Sequence, residues 1–128
     1  MIKMKKSPNN RSSNDKRKII AFDLDGTLTE VGHFKDLWKM TFLELEDVYV
    51  KVKPRKDIIK KLNELYDKGY IIYIFTSRYD LYQHLTRHWL KKHGVKYHYF
   101  VCNKPYYDRI VDDKCLDPKD IDKLLEEE

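Results

Sequence analysis

Cysteine is scarce in this chain of 128 residues: Cys102 and Cys115 are the only two, and their spacing fits neither a zinc site nor a redox pair. Two such thiols suit a reducing compartment, and the expected location is the cytoplasm. Long apolar runs are missing as well. None approaches the ~20 residues that a membrane helix needs, so no membrane partner is expected. The charged start of the chain is not followed by an apolar segment, as a secretory signal would require. Internal repeats are absent, which excludes repeat architectures. A basic stripe along the folded part is also lacking. Residues 1–18 carry seven basic side chains and one acid, Asp15, for a net +6, whereas the whole chain is +5. The remainder is therefore at −1, and nucleic acid is not the favoured partner.

What is present divides the chain in two. Residues 1–17 are rich in Ser, Asn and Lys with almost nothing apolar to bury, and are expected to be a disordered basic tail. Residues 18–128, in a chain that is 41% hydrophobic and 13% aromatic, read as one globular domain.

The chemistry begins at Asp23-Leu24-Asp25-Gly26-Thr27, which ends the apolar run Ile19–Phe22. Strand residues two apart share a face, so Asp23 and Asp25 are expected to turn toward one place. Two carboxylates that close repel unless a cation joins them, and an all-oxygen set suits Mg²⁺. Gly26 permits a sharp turn, and Thr27 offers a hydroxyl and an N–H to an arriving phosphate. A second buried run, Tyr70–Phe75, ends in Thr76-Ser77-Arg78. Lys104-Pro105 follows, and then Ile110-Val111 leads into Asp112-Asp113.

Periodicity places these groups. Pro54 opens a helix with Ile58, Ile59, Leu62 and Leu65 on one stripe, and Gly69 ends it. A second helix is expected from Asp80 to His93, with Leu81, Leu85 and Trp89 inward and Gly94 as its stop. Val95–Val101 reads as a third strand, Ile110–Val111 as the centre of a fourth, and Asp117-Pro118 as the start of a last helix. Between Thr29 and Lys53, Phe34, Leu37, Trp38 and Thr41 fit helical spacing, while Val48, Val50 and Val52 alternate as in a strand. This order implies an α/β fold: a parallel sheet with helices on both faces, and ligands at the carboxyl ends of its strands. All the polar groups named above lie at or just beyond those ends.

An acidic pair, a strand-end hydroxyl, a lysine and a second acidic pair, in that order, resemble the four motifs of the haloacid dehalogenase (HAD) superfamily. The resemblance covers about Lys18 to Lys114. It implies a Rossmann-like HAD fold and phosphoryl transfer through an aspartyl-phosphate. Asp23 is then the nucleophile and Asp25 the acid–base. Thr76 and Lys104 hold the phosphoryl group, aided by Gly26, Thr27 and Ser77. Mg²⁺ is the implied cofactor, bound by Asp23, Asp25 and Asp112, with Asp113 either binding it through water or orienting Lys104. Arg78 and Tyr106, with Tyr107 beside it, are candidates for substrate contact. The intervals between motifs leave no room for a separate cap domain, so the chain is similar to the capless members. Their open sites imply a large substrate or a neighbouring subunit, as in a homo-oligomer, for cover.

The segment Lys104–Asp108 with Val111–Lys114 also looks like small phosphatases associated with capsule and nucleotide-sugar synthesis. A sugar or polyol phosphate is accordingly the expected substrate, and a polynucleotide 3′-phosphate the alternative. A receiver-like phospho-accepting signalling domain is the reading from another class. It needs an aspartate at the end of the middle strand, where this chain has Thr76.

Overall fold

The computed structural model describes residues 17–30, 39–105, 107 and 109–126. Three parallel strands, β1 (Ile19–Asp23), β2 (Ile71–Phe75) and β3 (Tyr99–Val101), form a sheet with β2 in the middle. The apolar runs account for this directly: a central parallel strand is buried along much of its length and tolerates few polar side chains. The register pairs Asp23 with Phe75 and Phe75 with Val101. All three strands therefore end in one row, and the loops that follow emerge side by side.

Helix α2 (Lys56–Asp67) buries Ile58, Ile59, Leu62 and Leu65, the stripe its spacing predicts. Its end is set by Gly69, whose φ of +99° allows the Gly69 N–H to reach the Tyr66 carbonyl and the Tyr70 N–H the Leu65 carbonyl. The same device at Gly94 (φ +69°) closes α3 (Gln83–Lys92). These helices share one core with the sheet: Phe22, Ile72 and Ile74 cluster with Leu62, Leu65, Trp89 and Leu90. Burying each such side chain fully contributes about 1.5–3 kcal/mol, which fixes the sheet under the helices. Strand alternation puts Ala21, Tyr73, Phe75, Tyr99 and Val101 on the opposite face, where each is half-buried or exposed. The last helix begins as expected. Asp117 accepts the Lys119 N–H, a short 3₁₀ turn (Pro118–Asp120) follows, and α4 (Asp122–Glu126) leans on α2.

Four expectations are corrected. Val48, Val50 and Val52 are not in a strand: Val48 and Val50 lie within helix α1 (Phe42–Lys51), and Val52 is its C-cap. Thr41 and Glu44 cap each other's backbone N–H groups, and Asp47 pairs with Lys51 one turn on at 2.9 Å, so local bonding overrides a short alternation. The fourth strand is absent among the described residues. Ile110 is half exposed and Val111 wholly so, because two apolar residues between charged neighbours have nothing to pack against, and Asp112 instead accepts the Lys114 N–H in a turn. The third strand starts at Tyr99 rather than Val95, since the Val95 N–H is bonded to the Leu90 carbonyl as α3 ends. Leu81 is exposed; Tyr82, Thr86, Trp89 and Leu90 form the buried side of this segment. The disorder expected of the tail falls, but for Arg17, outside the described residues, as do Phe34, Leu37 and Trp38. Among the described residues no helix is long and apolar enough to cross a membrane.

Candidate active site

The side chain of Leu24 is wholly buried, and this sends its neighbours Asp23 and Asp25 the other way. Its backbone does more. The Leu24 N–H donates to the Phe75 carbonyl, and the Leu24 carbonyl accepts from the N–H groups of Thr27, Leu28 and Thr29. The chain thus turns directly at the strand end, helped by Gly26 at φ +85° and by the buried Thr29 hydroxyl, which accepts the Gly26 N–H at 3.1 Å. The N–H of Thr27, expected to face a phosphate, is used together with that of Gly26 to hold this turn.

The next two loops are tied to each other by the same kind of bond. Thr76 donates its N–H to the Val101 carbonyl and accepts the Lys104 N–H on its own carbonyl, both at 3.0 Å. Its hydroxyl accepts the Arg78 N–H at 3.0 Å, which leaves the hydroxyl proton, not the N–H, to meet a phosphoryl oxygen. Ser77 is exposed between them. Asn103, at φ +59°, donates its N–H to the Arg78 carbonyl and accepts the Asp80 N–H on its side chain. Asn is among the few residues that adopt this backbone conformation readily.

Asp23 lies 3.7 Å from the Lys104 ammonium and accepts the Leu24 N–H at 3.0 Å. Burial pushes its carboxyl above the ordinary range; Lys104 and the Leu24 N–H pull the other way, and nearby Asp25 adds to the rise. Lys104 also donates to the Tyr107 hydroxyl at 3.0 Å, with that ring half exposed at the rim. Tyr106 lies outside the described residues.

Asp25 is held differently. The Arg78 Nε–H and Nη2–H groups donate to its two oxygens at 3.0 and 2.7 Å. Arg78 is only 3% exposed. Its remaining edge donates to the Thr86 hydroxyl at 3.2 Å, and its flat face lies 3.9 Å from the centre of the Tyr49 ring. The fork expected to grip substrate is thus occupied by Asp25. Each carboxylate oxygen has two acceptor directions, so Asp25 keeps capacity for a proton. Tyr49 and Thr86 were not foreseen as site residues; the Thr41–Glu44 capping signature, which places Tyr49 on a helix, was the available signal.

Asp112 and Asp113 are exposed in their turn. Among the described residues no three acidic, His or Cys side chains gather as a metal-binding group. The donors that remain are the Asp23 carboxylate and the backbone carbonyl of Asp25. That fits Mg²⁺, which takes one or two protein carboxylates and completes its shell with water and substrate phosphate.

The chain as a whole is similar to known proteins. No curated protein matches the chain. A crystal structure of a Vibrio cholerae protein (an MCSG target) is similar at 28% identity over 81% of this chain and 86% of that one, with a TM-score of 0.63. The model of the polynucleotide kinase 3 phosphatase family matches residues 18–101, a span that contains Asp23, Asp25, Thr76 and Arg78 and stops short of Lys104. With well over half of its length matched, the chain belongs to the polynucleotide kinase 3 phosphatase family, a HAD-like phosphatase family.

Proposed function

We propose that the protein is a Mg²⁺-dependent phosphomonoester hydrolase that works through an aspartyl-phosphate on Asp23. The observation that carries this reading is the pairing of roles at the strand ends: one carboxylate beside a lysine, the other fixed by an arginine. Asp23 attacks phosphorus while Lys104 offsets the negative charge on both partners. Thr76 donates its hydroxyl proton to a phosphoryl oxygen. Asp25, oriented by Arg78, protonates the departing alcohol and then takes a proton from the water that releases phosphate. A Mg²⁺ ion held by Asp23 and the Asp25 carbonyl would supply charge neutralisation at the phosphoryl group.

The substrate we favour is a sugar or polyol phosphate, since the folded part is nearly neutral. The family match favours a second reading, a 3′-phosphate at a polynucleotide end. One experiment ranks them: hydrolysis of a panel of sugar phosphates, nucleotides and a 3′-phosphorylated oligonucleotide, with Mg²⁺ and with EDTA. Fastest turnover of a sugar phosphate, abolished by EDTA and restored by Mg²⁺ better than by Ca²⁺, supports the first reading. Efficient removal of the oligonucleotide phosphate, with salt-sensitive binding that weakens when residues 1–17 are deleted, would promote the second. Full activity after thorough chelation would reject the metal.

A further inference from the structure

The guanidinium of Arg78 is enclosed on three sides by groups from three parts of the chain. Asp25 from the first loop takes one edge, Thr86 of α3 takes another, and Tyr49 of α1 covers the face. Thr86 is itself fixed, donating its hydroxyl to the Tyr82 carbonyl at 3.0 Å. The Tyr82 ring in turn meets Tyr49 edge-on at 5.2 Å and Phe42 of α1 at 5.3 Å. Tyr49 is the one buried side chain of α1, and α1 packs on α3. The contact between α1 and the catalytic loops thus runs through an aromatic ring laid on the cation that orients Asp25.

From this geometry we infer that Tyr49 is a positioning residue for acid–base catalysis. Its ring holds the Arg78 fork in the plane of the Asp25 carboxylate, so the seating of α1 sets how well Asp25 can deliver and accept a proton. The physical reasons are three. An aromatic face attracts a desolvated guanidinium, and it blocks rotation of the fork out of plane. It also excludes water that would compete for the Arg78 N–H groups. Tyr49 acts on Asp25 through the Arg78 guanidinium, so its effect should be specific to the steps that need Asp25. Phosphoryl transfer from an alkyl ester requires a proton at the leaving oxygen, whereas transfer from an activated aryl ester does not.

The inference rests on the phosphatase reading for its kinetic arm and is independent of it in its spectroscopic arm. In the kinetic arm, Tyr49→Leu should lower kcat for an alkyl phosphate by roughly tenfold or more, part of the 10²–10⁴ that a positioned acid supplies. KM should change little, and the single-turnover rate of phosphoryl transfer from 2,4-dinitrophenyl phosphate should be nearly intact. Tyr49→Phe, which keeps the ring face, should restore the alkyl rate. In the spectroscopic arm, the Arg78 Nε–H should exchange slowly with solvent in the wild-type protein, faster in Tyr49→Leu, and slowly again in Tyr49→Phe. If Tyr49→Leu fails to fold, progressively fluorinated phenylalanines at position 49 keep the shape while weakening the ring face, and exchange should quicken along that series. Equal losses for both esters, no loss for either, or an exchange rate indifferent to the ring would overturn the inference. Wild-type protein that hydrolyses no ester yet shows the exchange pattern would reject the phosphatase reading and leave the coupling in place.

Discussion

Arg78 and Asp25 are joined by two parallel hydrogen bonds across 53 positions of sequence, with the arginine side chain only 2% exposed. A guanidinium so thoroughly desolvated has no substitute of equal geometry. Arg78→Ala should remove turnover and destabilise the fold by about 3–5 kcal/mol, since it leaves Asp25 and Thr86 facing an emptied site. Arg78→Lys should recover part of the stability but little of the activity, because an ammonium cannot bond both oxygens in one plane. Urea denaturation and steady-state rates on the two variants check this; a lysine variant with near-normal kcat would contradict it.

Asp23 carries an opposite relation between stability and activity. Burial raises its carboxyl above the ordinary 3.8, with Lys104 offsetting only part. The folded chain therefore holds this proton to higher pH than the unfolded chain does. Stability is lost as pH rises from the unfolded value through the folded one. Asp23→Asn removes that loss along with the nucleophile. In EDTA at neutral pH the variant should melt above the wild type while showing no turnover. The gap should close on acidification toward the ordinary aspartate range. A variant that melts lower at neutral pH would contradict the assignment.

Much of this could be read from the residues, and the misses have physical causes. The runs Ile19–Phe22 and Tyr70–Phe75 became strands, the second starting at Ile71, and the Ile58–Leu65 stripe a helix, because burial and period agree there. Asp23, Asp25, Thr76 and Lys104 met as their order suggested because the register ends the strands in one row. Val48–Val52 misled because three alternating residues weigh less than a capping box and a helical ion pair. Ile110–Val111 misled because an apolar pair makes a strand only if a neighbour covers it. That Tyr49 lies on a helix was legible from the Thr41–Glu44 cap, but its stacking on Arg78 was not, because cation and ring stacking leaves no period in the sequence.

Asn103 links the Arg78 and Lys104 loops, and its backbone sits at φ +59°. Asn103→Gly keeps that conformation and loses only the side-chain bond to the Asp80 N–H, a cost of about 1 kcal/mol. Asn103→Val adds left-handed strain of about 1–2 kcal/mol for a side chain branched at Cβ. The stability order should be wild type, then glycine, then valine, by denaturant melting, with KM for a phosphomonoester rising in the same order as Lys104 loses its setting. A valine variant as stable as the wild type would remove Asn103 from this role.

Phosphate that passes through Asp23 can be trapped there by acid-quenching the protein during turnover of a phosphomonoester, reducing it with borohydride, and mapping its peptides. Reduction converts an aspartyl-phosphate to homoserine, and the account predicts this change at position 23 alone, increased when Asp25→Asn slows release of phosphate. Reduction at position 25 instead, or at no aspartate while hydrolysis proceeds at full rate, would contradict it.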